Sequence, residues 1–236
     1  MELLRIDNFG PDALLVRYAA QGDALAFARG RALLRHVTTH PPTGLAEVTP
    51  GFTTLLLEFG SGARPDPKSL EKVFEAVVGG AKEEPGPERT VDVPVVYDGP
   101  DLGRVAETAG MTVEQVIELH VAGEYRVHLL GFSPGFAYLG GLDRRLHTPR
   151  LGTPRLKVPA GAVAIGGEHT GIYPVATAGG WNLVGRTDLA LLDPARAAMG
   201  SPEAFGLLPG DGVRFIRVKQ LRSEAQSPSQ EGGHHG

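Results

Sequence analysis

Gly166-Gly167-Glu168-His169-Thr170-Gly171-Ile172-Tyr173-Pro174 and Gly179-Gly180-Trp181-Asn182-Leu183-Val184-Gly185-Arg186-Thr187 decide how the second half of the chain folds. Each stretch breaks a short apolar run with glycine or proline every few residues, and neither carries a helical period. The same texture runs from Tyr125 to Val218, which argues for a barrel or sandwich of short strands. The composition agrees. Among 236 residues there are 33 Gly and 19 Pro without a G-X-Y repeat, as many tight turns require.

Working upstream, Thr90 to Tyr97 reads as a strand that opens this unit, and a short helix follows around Leu102, Val105, Ala106 and Ala109. Thr112 and Gln115 form a capping box for a helix carrying Val113, Val116, Ile117 and Val121. Before it, 81–89 is rich in Gly, Pro and charge and is the predicted linker. Residues 1–80 alternate differently. Leu3 to Asn8 and Ala13 to Tyr18 read as strands, and Asp23 to His36 as a helix with Leu25, Arg29 and Leu33 spaced by four. Leu45 to Thr49 and Thr53 to Phe59 flank the turn Pro50-Gly51. Asp66-Pro67 then starts a helix with an apolar face of Leu70, Val73, Phe74 and Val77. The predicted organisation is a small α+β domain over 1–80, a linker over 81–89, a β-rich domain over 90–220 and a flexible tail over 221–236.

Composition excludes several function classes. A formal charge of -4 leaves no overall footprint for nucleic acid. The absence of cysteine removes disulfides, thiolate nucleophiles and zinc–thiolate sites. Charges at Glu2, Arg5 and Asp7 stand where a signal peptide needs its apolar core, and no apolar run approaches the ~18–20 residues that cross a bilayer. The expectation is a cytoplasmic protein with no membrane partner.

Gly131-Phe132-Ser133-Pro134-Gly135 matches the G-x-S-x-G pattern of a serine-hydrolase elbow. Its chemistry fails. The residue after the nucleophile must lend an N–H to the oxyanion hole, and Pro134 has none. No Gly-Lys-Ser/Thr supports a P-loop, and Glu168-His169 lacks the second histidine of a metal site. His234-His235 in the tail is a weak metal signal, set against a plain disordered end.

Local charge is more informative. The segment Glu124 to Lys157 carries +4 within a chain of net -4. Guanidinium forks suit carboxylates and phosphates, so this reads as an anion site, against a bland reading of solvated surface arginines. Arg150 and Arg155 each follow a proline, whose rigid backbone can fix their direction. Trp181, the only tryptophan, lies between a glycine pair and Arg186, as a pocket wall would. His128 lies in a strand on the face opposite Tyr125, Val127 and Leu129, where a merely structural histidine is the plain alternative.

The ordered string Gly131 to Asp143, Pro149-Arg150, Pro154-Arg155, Val158-Pro159-Ala160-Gly161, Thr170 to Pro174, Gly180-Trp181 and Gly185-Arg186-Thr187 resembles one family. Its members are called the B subunit of 5-oxoprolinase, allophanate hydrolase subunit 1, or sporulation-kinase inhibitors. The resemblance spans roughly 3–218. Ala162 stands where the family pattern leads us to expect serine, and Ala178 where we expect proline.

The resemblance implies a fold, an activity and a set of site residues. The implied fold is a small α+β N-terminal domain and a cyclophilin-like β-barrel C-terminal domain. The implied activity is that of the B subunit of an ATP-dependent 5-oxoprolinase. Inactive alone, it would open 5-oxo-L-proline to L-glutamate together with the A and C subunits. ATP is the implied co-substrate, with Mg2+. The alternatives are an inhibitor of a sensor histidine kinase and the carboxyltransferase-like half of a urea- or allophanate-degrading enzyme. Position within the motifs makes Arg150, Arg155, Lys157 and Arg186 candidates for holding carboxylate or phosphate, and Trp181 and Phe136 candidate pocket walls. His128 and Tyr173 are the candidates for proton transfer.

Overall fold

The structure is a computed structural model that describes residues 4–20, 22–82, 87 and 89–225. The chain divides into two compact units, 1–86 and 87–236.

The first unit is built from β1 (Arg5–Asn8), β2 (Ala13–Arg17), α1 (Ala24–Thr39), β3 (Leu45–Pro50), β4 (Thr54–Phe59) and α2 (Pro67–Gly80). Its strands form one antiparallel sheet in the order β1-β2-β4-β3. Period-two alternation puts Leu14, Val16, Leu55, Leu57 and Phe59 on the core face. Both helices pack onto that core, and both begin with an aspartate cap: Asp23 accepts from the N–H of Ala26, and Asp66 from that of Lys68. The buried stripe of α1 is Ala26, Leu33 and Val37 rather than Leu25 and Arg29. On α2, Phe74 and Val78 are buried while Val73 is 46% exposed, a shift of the expected face toward the helix C-terminus.

The second unit comprises β5 (Thr90–Val95), α3 (Leu102–Ala109), α4 (Val113–Val121), β6 (Tyr125–Leu130), β7 (Ala137–Gly140), β8 (Arg155–Val158), β9 (Ala162–Gly166), β10 (His169–Ile172), β11 (Thr177–Gly179), β12 (Asn182–Arg186), α5 (Pro194–Ala198), β13 (Gly212–Arg217) and α6 (Arg222–Ala225). Seven strands form a mixed sheet in the order β12-β9-β10-β7-β6-β13-β5, in which only β5 and β13 are parallel. Just past β5, Val96 bridges Arg186 of β12 with two backbone hydrogen bonds of 3.0 and 2.9 Å. Those bonds join the sheet's two edges, so it is nearly closed and barrel-like. β8 and β11 form a separate two-stranded ribbon.

The interior holds Val93, Val95, Val127, Leu139, Val163, Ile165 and Phe215, covered by Val105 of α3 and by Val116 and Ile117 of α4. The Thr112–Gln115 capping box starts α4 as the sequence indicates, although Val113 is 40% exposed. His120 carries a polar ring into this core. His120 is buried, stacked on Phe215 at 4.5 Å, with Nδ1 2.7 Å from the Tyr97 hydroxyl and Nε2 2.9 Å from the Thr170 hydroxyl. Thr170 spends its single proton on the Ala164 carbonyl at 3.0 Å, so it must accept from Nε2–H. Tyr97 therefore donates to Nδ1, and the imidazole is neutral.

Arg89, assigned to the linker from sequence, is anchored instead: it pairs with Asp211, and its carbonyl accepts from the Gly212 N–H at 2.8 Å. The expected tail over 221–236 also begins in order. Arg222–Ala225 is a short helix in which Glu224 pairs with Arg186, and Leu221 is buried. Leu3, most of the expected linker (83–86 and 88) and the tail beyond 225, including His234-His235, lie outside the described residues.

Candidate functional site

The site grows from one loop and one face of the barrel-like sheet. Along β7 and β10, Ala137, Leu139 and Ile172 point into the interior. The alternate positions Tyr138 and Tyr173 therefore face outward, where they join Phe136 and Trp181. The rings of Phe136 and Trp181 stand 5.3 Å apart at 89°, Phe136 and Tyr173 5.1 Å apart at 81°, and Tyr138 and Trp181 5.6 Å apart at 68°. These edge-to-face angles set the negative ring faces against positive edges. Gly166 of β9 makes room for the indole: a Cβ there would lie 2.4 Å from the Trp181 ring.

The loop Gly131–Phe136 supplies the mouth. Ser133-Pro134-Gly135-Phe136 is a turn with the Phe136 N–H on the Ser133 carbonyl at 3.0 Å and Gly135 at φ 80°, the position at which a Pro-Gly type II turn needs glycine. Phe132 is 61% exposed, and its ring stands 5.5 Å from Phe136 and 6.4 Å from Tyr173. Among the described residues the buried Ser133 hydroxyl has no hydrogen-bond partner, so no base activates it.

These walls enclose a cavity of about 310 Å³, lined by Phe132, Phe136, Tyr138, Arg150, Tyr173 and Trp181 together with Leu151, Pro154 and the end of β11 at Ala178, Gly179 and Gly180. Its lining is apolar but for the tyrosine hydroxyls, exposed backbone and the Arg150 guanidinium. Arg150 lies over the Trp181 ring at 5.7 Å and has no carboxylate partner among the described residues. That is a cation held by an aromatic face and left open to an anion.

Four of the sequence candidates, Phe136, Arg150, Tyr173 and Trp181, come together here. The other four do not line the cavity. Arg155 donates to Asp101 at 2.7 Å, while the second Asp101 oxygen accepts the Leu183 N–H at 2.7 Å. Arg155 thus braces the strand that follows Trp181. Arg186 is engaged by Asp98 at 2.8 Å and by Glu224, which raise its pKa. Lys157 is exposed on β8. His128 lies against Gly140 of β7, and burial, then His169 and Arg126, push its pKa down to about 4. The Tyr173 pKa is raised by burial, and its hydroxyl lies against Gly179, where an added Cβ would fall 2.3 Å from it.

Sequence reasoning missed the braces. Asn182, fully buried, donates to the carbonyls of Pro149 (3.1 Å) and Ile165 (3.0 Å) and accepts from Arg104 at 2.8 Å. The residue after Trp181 therefore fixes the residue before Arg150. Asp101 had one legible signal, its place before a helix, yet its carboxylate makes no cap bond and serves Arg155 and Leu183 instead.

The pattern that describes the carboxyltransferase domain, subdomain C and D, matches residues 4–201, and the chain belongs to that family. It is 54% identical over 135 residues to the B subunit of 5-oxoprolinase from Escherichia coli O157:H7, covering 56% of this chain and 60% of that protein. With the B subunit of the Bacillus subtilis 5-oxoprolinase it shares 34% identity over 229 residues, 92% and 93% of the two chains. The first match spans less than two thirds of its relative; the second spans nearly all of it. The Kluyveromyces lactis urea carboxylase superposes with a TM-score of 0.74 at 21% identity, over 91% of this chain and 22% of that one, a likeness of fold. The resemblance read from the motif string is therefore shown.

Proposed function

We propose that this chain is the B subunit of an ATP-dependent 5-oxoprolinase, which opens 5-oxo-L-proline to L-glutamate. One observation carries the reading beyond the relatives' names: an aromatic cavity of about 310 Å³ whose single cation, Arg150, stands against Trp181. A lactam ring with one carboxylate has the matching chemistry, a flat body for the rings and one negative charge for the guanidinium. A lactam is a poor electrophile. ATP would phosphorylate its oxygen with loss of ADP. One water would then add as the ring C–N bond breaks to give the free amine and an acyl phosphate, and a second water would release phosphate to leave L-glutamate. The protein's part is positioning and electrostatic stabilisation.

In this reading the seven-stranded unit is a cyclophilin-like barrel, and the A and C subunits complete the site in the cytoplasm. The cavity lining offers a guanidinium and no carboxylate, which suits the substrate's carboxylate and not a Mg2+ ion. In this reading Mg2+–ATP is held by the partner chains, and this chain alone should be inactive. The test is a reconstitution series, each chain singly, in pairs and together, with glutamate release as the readout. Turnover only by the full set supports the proposal, and turnover by this chain alone overturns it.

Membership of the carboxyltransferase family favours a second reading, carboxyl transfer with a biotin-carrier partner. Capture of a biotinylated protein by this chain, with no glutamate formed by the full set, would favour it.

A further inference from the structure

Phe132 is the one non-glycine residue with positive φ, 68°, among the described residues. The Ser133 N–H donates to the Gly131 carbonyl at 2.8 Å, so Phe132 is the apex of a three-residue turn of the rare hand. A bulky side chain there carries strain that glycine would avoid. The buried, unpartnered Ser133 hydroxyl adds a second local cost. Burial does not offset either, because the Phe132 ring is 61% exposed. What the turn secures is position: the ring stands edge-on to Phe136 at 74° and to Tyr173 at 90°, at the cavity wall.

We propose that Phe132 is a specificity-determining residue of this cavity, held by its strained turn as the aromatic wall that selects a flat, singly anionic ligand. Aromatic faces and edges favour a flat partner at van der Waals distance over a puckered one, and Arg150 supplies the charge complement. The inference rests on the cavity being a substrate site, but not on that substrate being 5-oxo-L-proline.

Trp181, the only tryptophan, lines the cavity and reports occupancy by its fluorescence. The full chain and its Phe132→Gly and Phe132→Ala variants would be titrated with benzoate, cyclohexanecarboxylate and 5-oxo-L-proline. The expected result is a preference of the unaltered chain for flat benzoate over puckered cyclohexanecarboxylate of roughly fivefold or more, reduced at least about threefold in both variants. Phe132→Gly should also melt above Phe132→Ala, the reverse of the usual order, because only glycine relieves the turn. A preference unchanged by either variant, binding of none of the three probes, or an alanine variant melting above the glycine variant would overturn the proposal. Failure of 5-oxo-L-proline alone, with the benzoate preference lost in both variants, supports it and counts instead against the 5-oxoprolinase reading.

Discussion

Arg150 and Arg155 have the same Pro-Arg context and opposite surroundings. Arg150 is exposed over Trp181, whereas Arg155 is drawn down onto Asp101. Arg150→Ala is expected to weaken binding of an anionic ligand by about 1.5–3 kcal/mol while the melting temperature holds. Arg155→Ala should instead destabilise the fold by roughly 2–4 kcal/mol, because it strands the largely buried Asp101 carboxylate. Urea denaturation separates the two, and unchanged stability on Arg155→Ala would contradict the bracing role. Ser133→Ala should be neutral for activity and neutral to slightly stabilising, since it removes an unsatisfied buried hydroxyl.

His120 makes a residue-scale prediction about pH. Burial pushes its pKa from 6.5 to about 3, so the charged form is disfavoured in the folded state. The neutral-form stabilisation is complete above pH 6.5, the unfolded value, and is lost as pH falls toward 3, by up to about 1.4 kcal/mol per pH unit. His128 and His169, also lowered, act with the same sign. Urea midpoints should fall between about pH 7 and pH 5, and His120→Gln should flatten that slope while lowering stability at neutral pH. An unaltered slope would contradict the neutral, doubly bonded imidazole.

At the scale of elements, β9 sets the depth of the site. Gly166→Ala would drive a methyl into the indole, and overpacking of this kind costs about 1–3 kcal/mol. The expected signature is a shifted Trp181 emission together with weaker ligand binding; an unchanged spectrum would mean that the strand does not seat the ring. Much at this scale was legible. The caps at Asp66 and Thr112 and the hairpin around Pro50-Gly51 are local signals, and the structure uses them as written. What was not legible is nonlocal. Nothing near Arg155 names Asp101, fifty-four residues upstream, and nothing near Pro149 names Asn182. Charge counting therefore could not separate the cation that faces the cavity from those already engaged. Burial also moved one helix face: spacing alone gave Val73 and Val77 equal claim with Phe74 on α2, and packing chose Phe74 and Val78.

At the scale of the whole molecule, short strands between glycines signalled a barrel or sandwich, and the backbone bridge between Val96 and Arg186 nearly closes the sheet. No helix among the described residues is long and apolar enough to cross a membrane. The cavity lies on the outer face of that sheet, opposite the packed interior, with a side open for whatever completes it. The proposed function requires an active site completed by partner chains. Its most direct test is glutamate release from 5-oxo-L-proline and ATP by the reconstituted three-subunit set, with this chain supplied unaltered or as Arg150→Ala. The expected result is turnover with the unaltered chain and a loss of kcat/KM of roughly tenfold or more with the variant, while the three chains still co-purify. Equal turnover with both chains would contradict it.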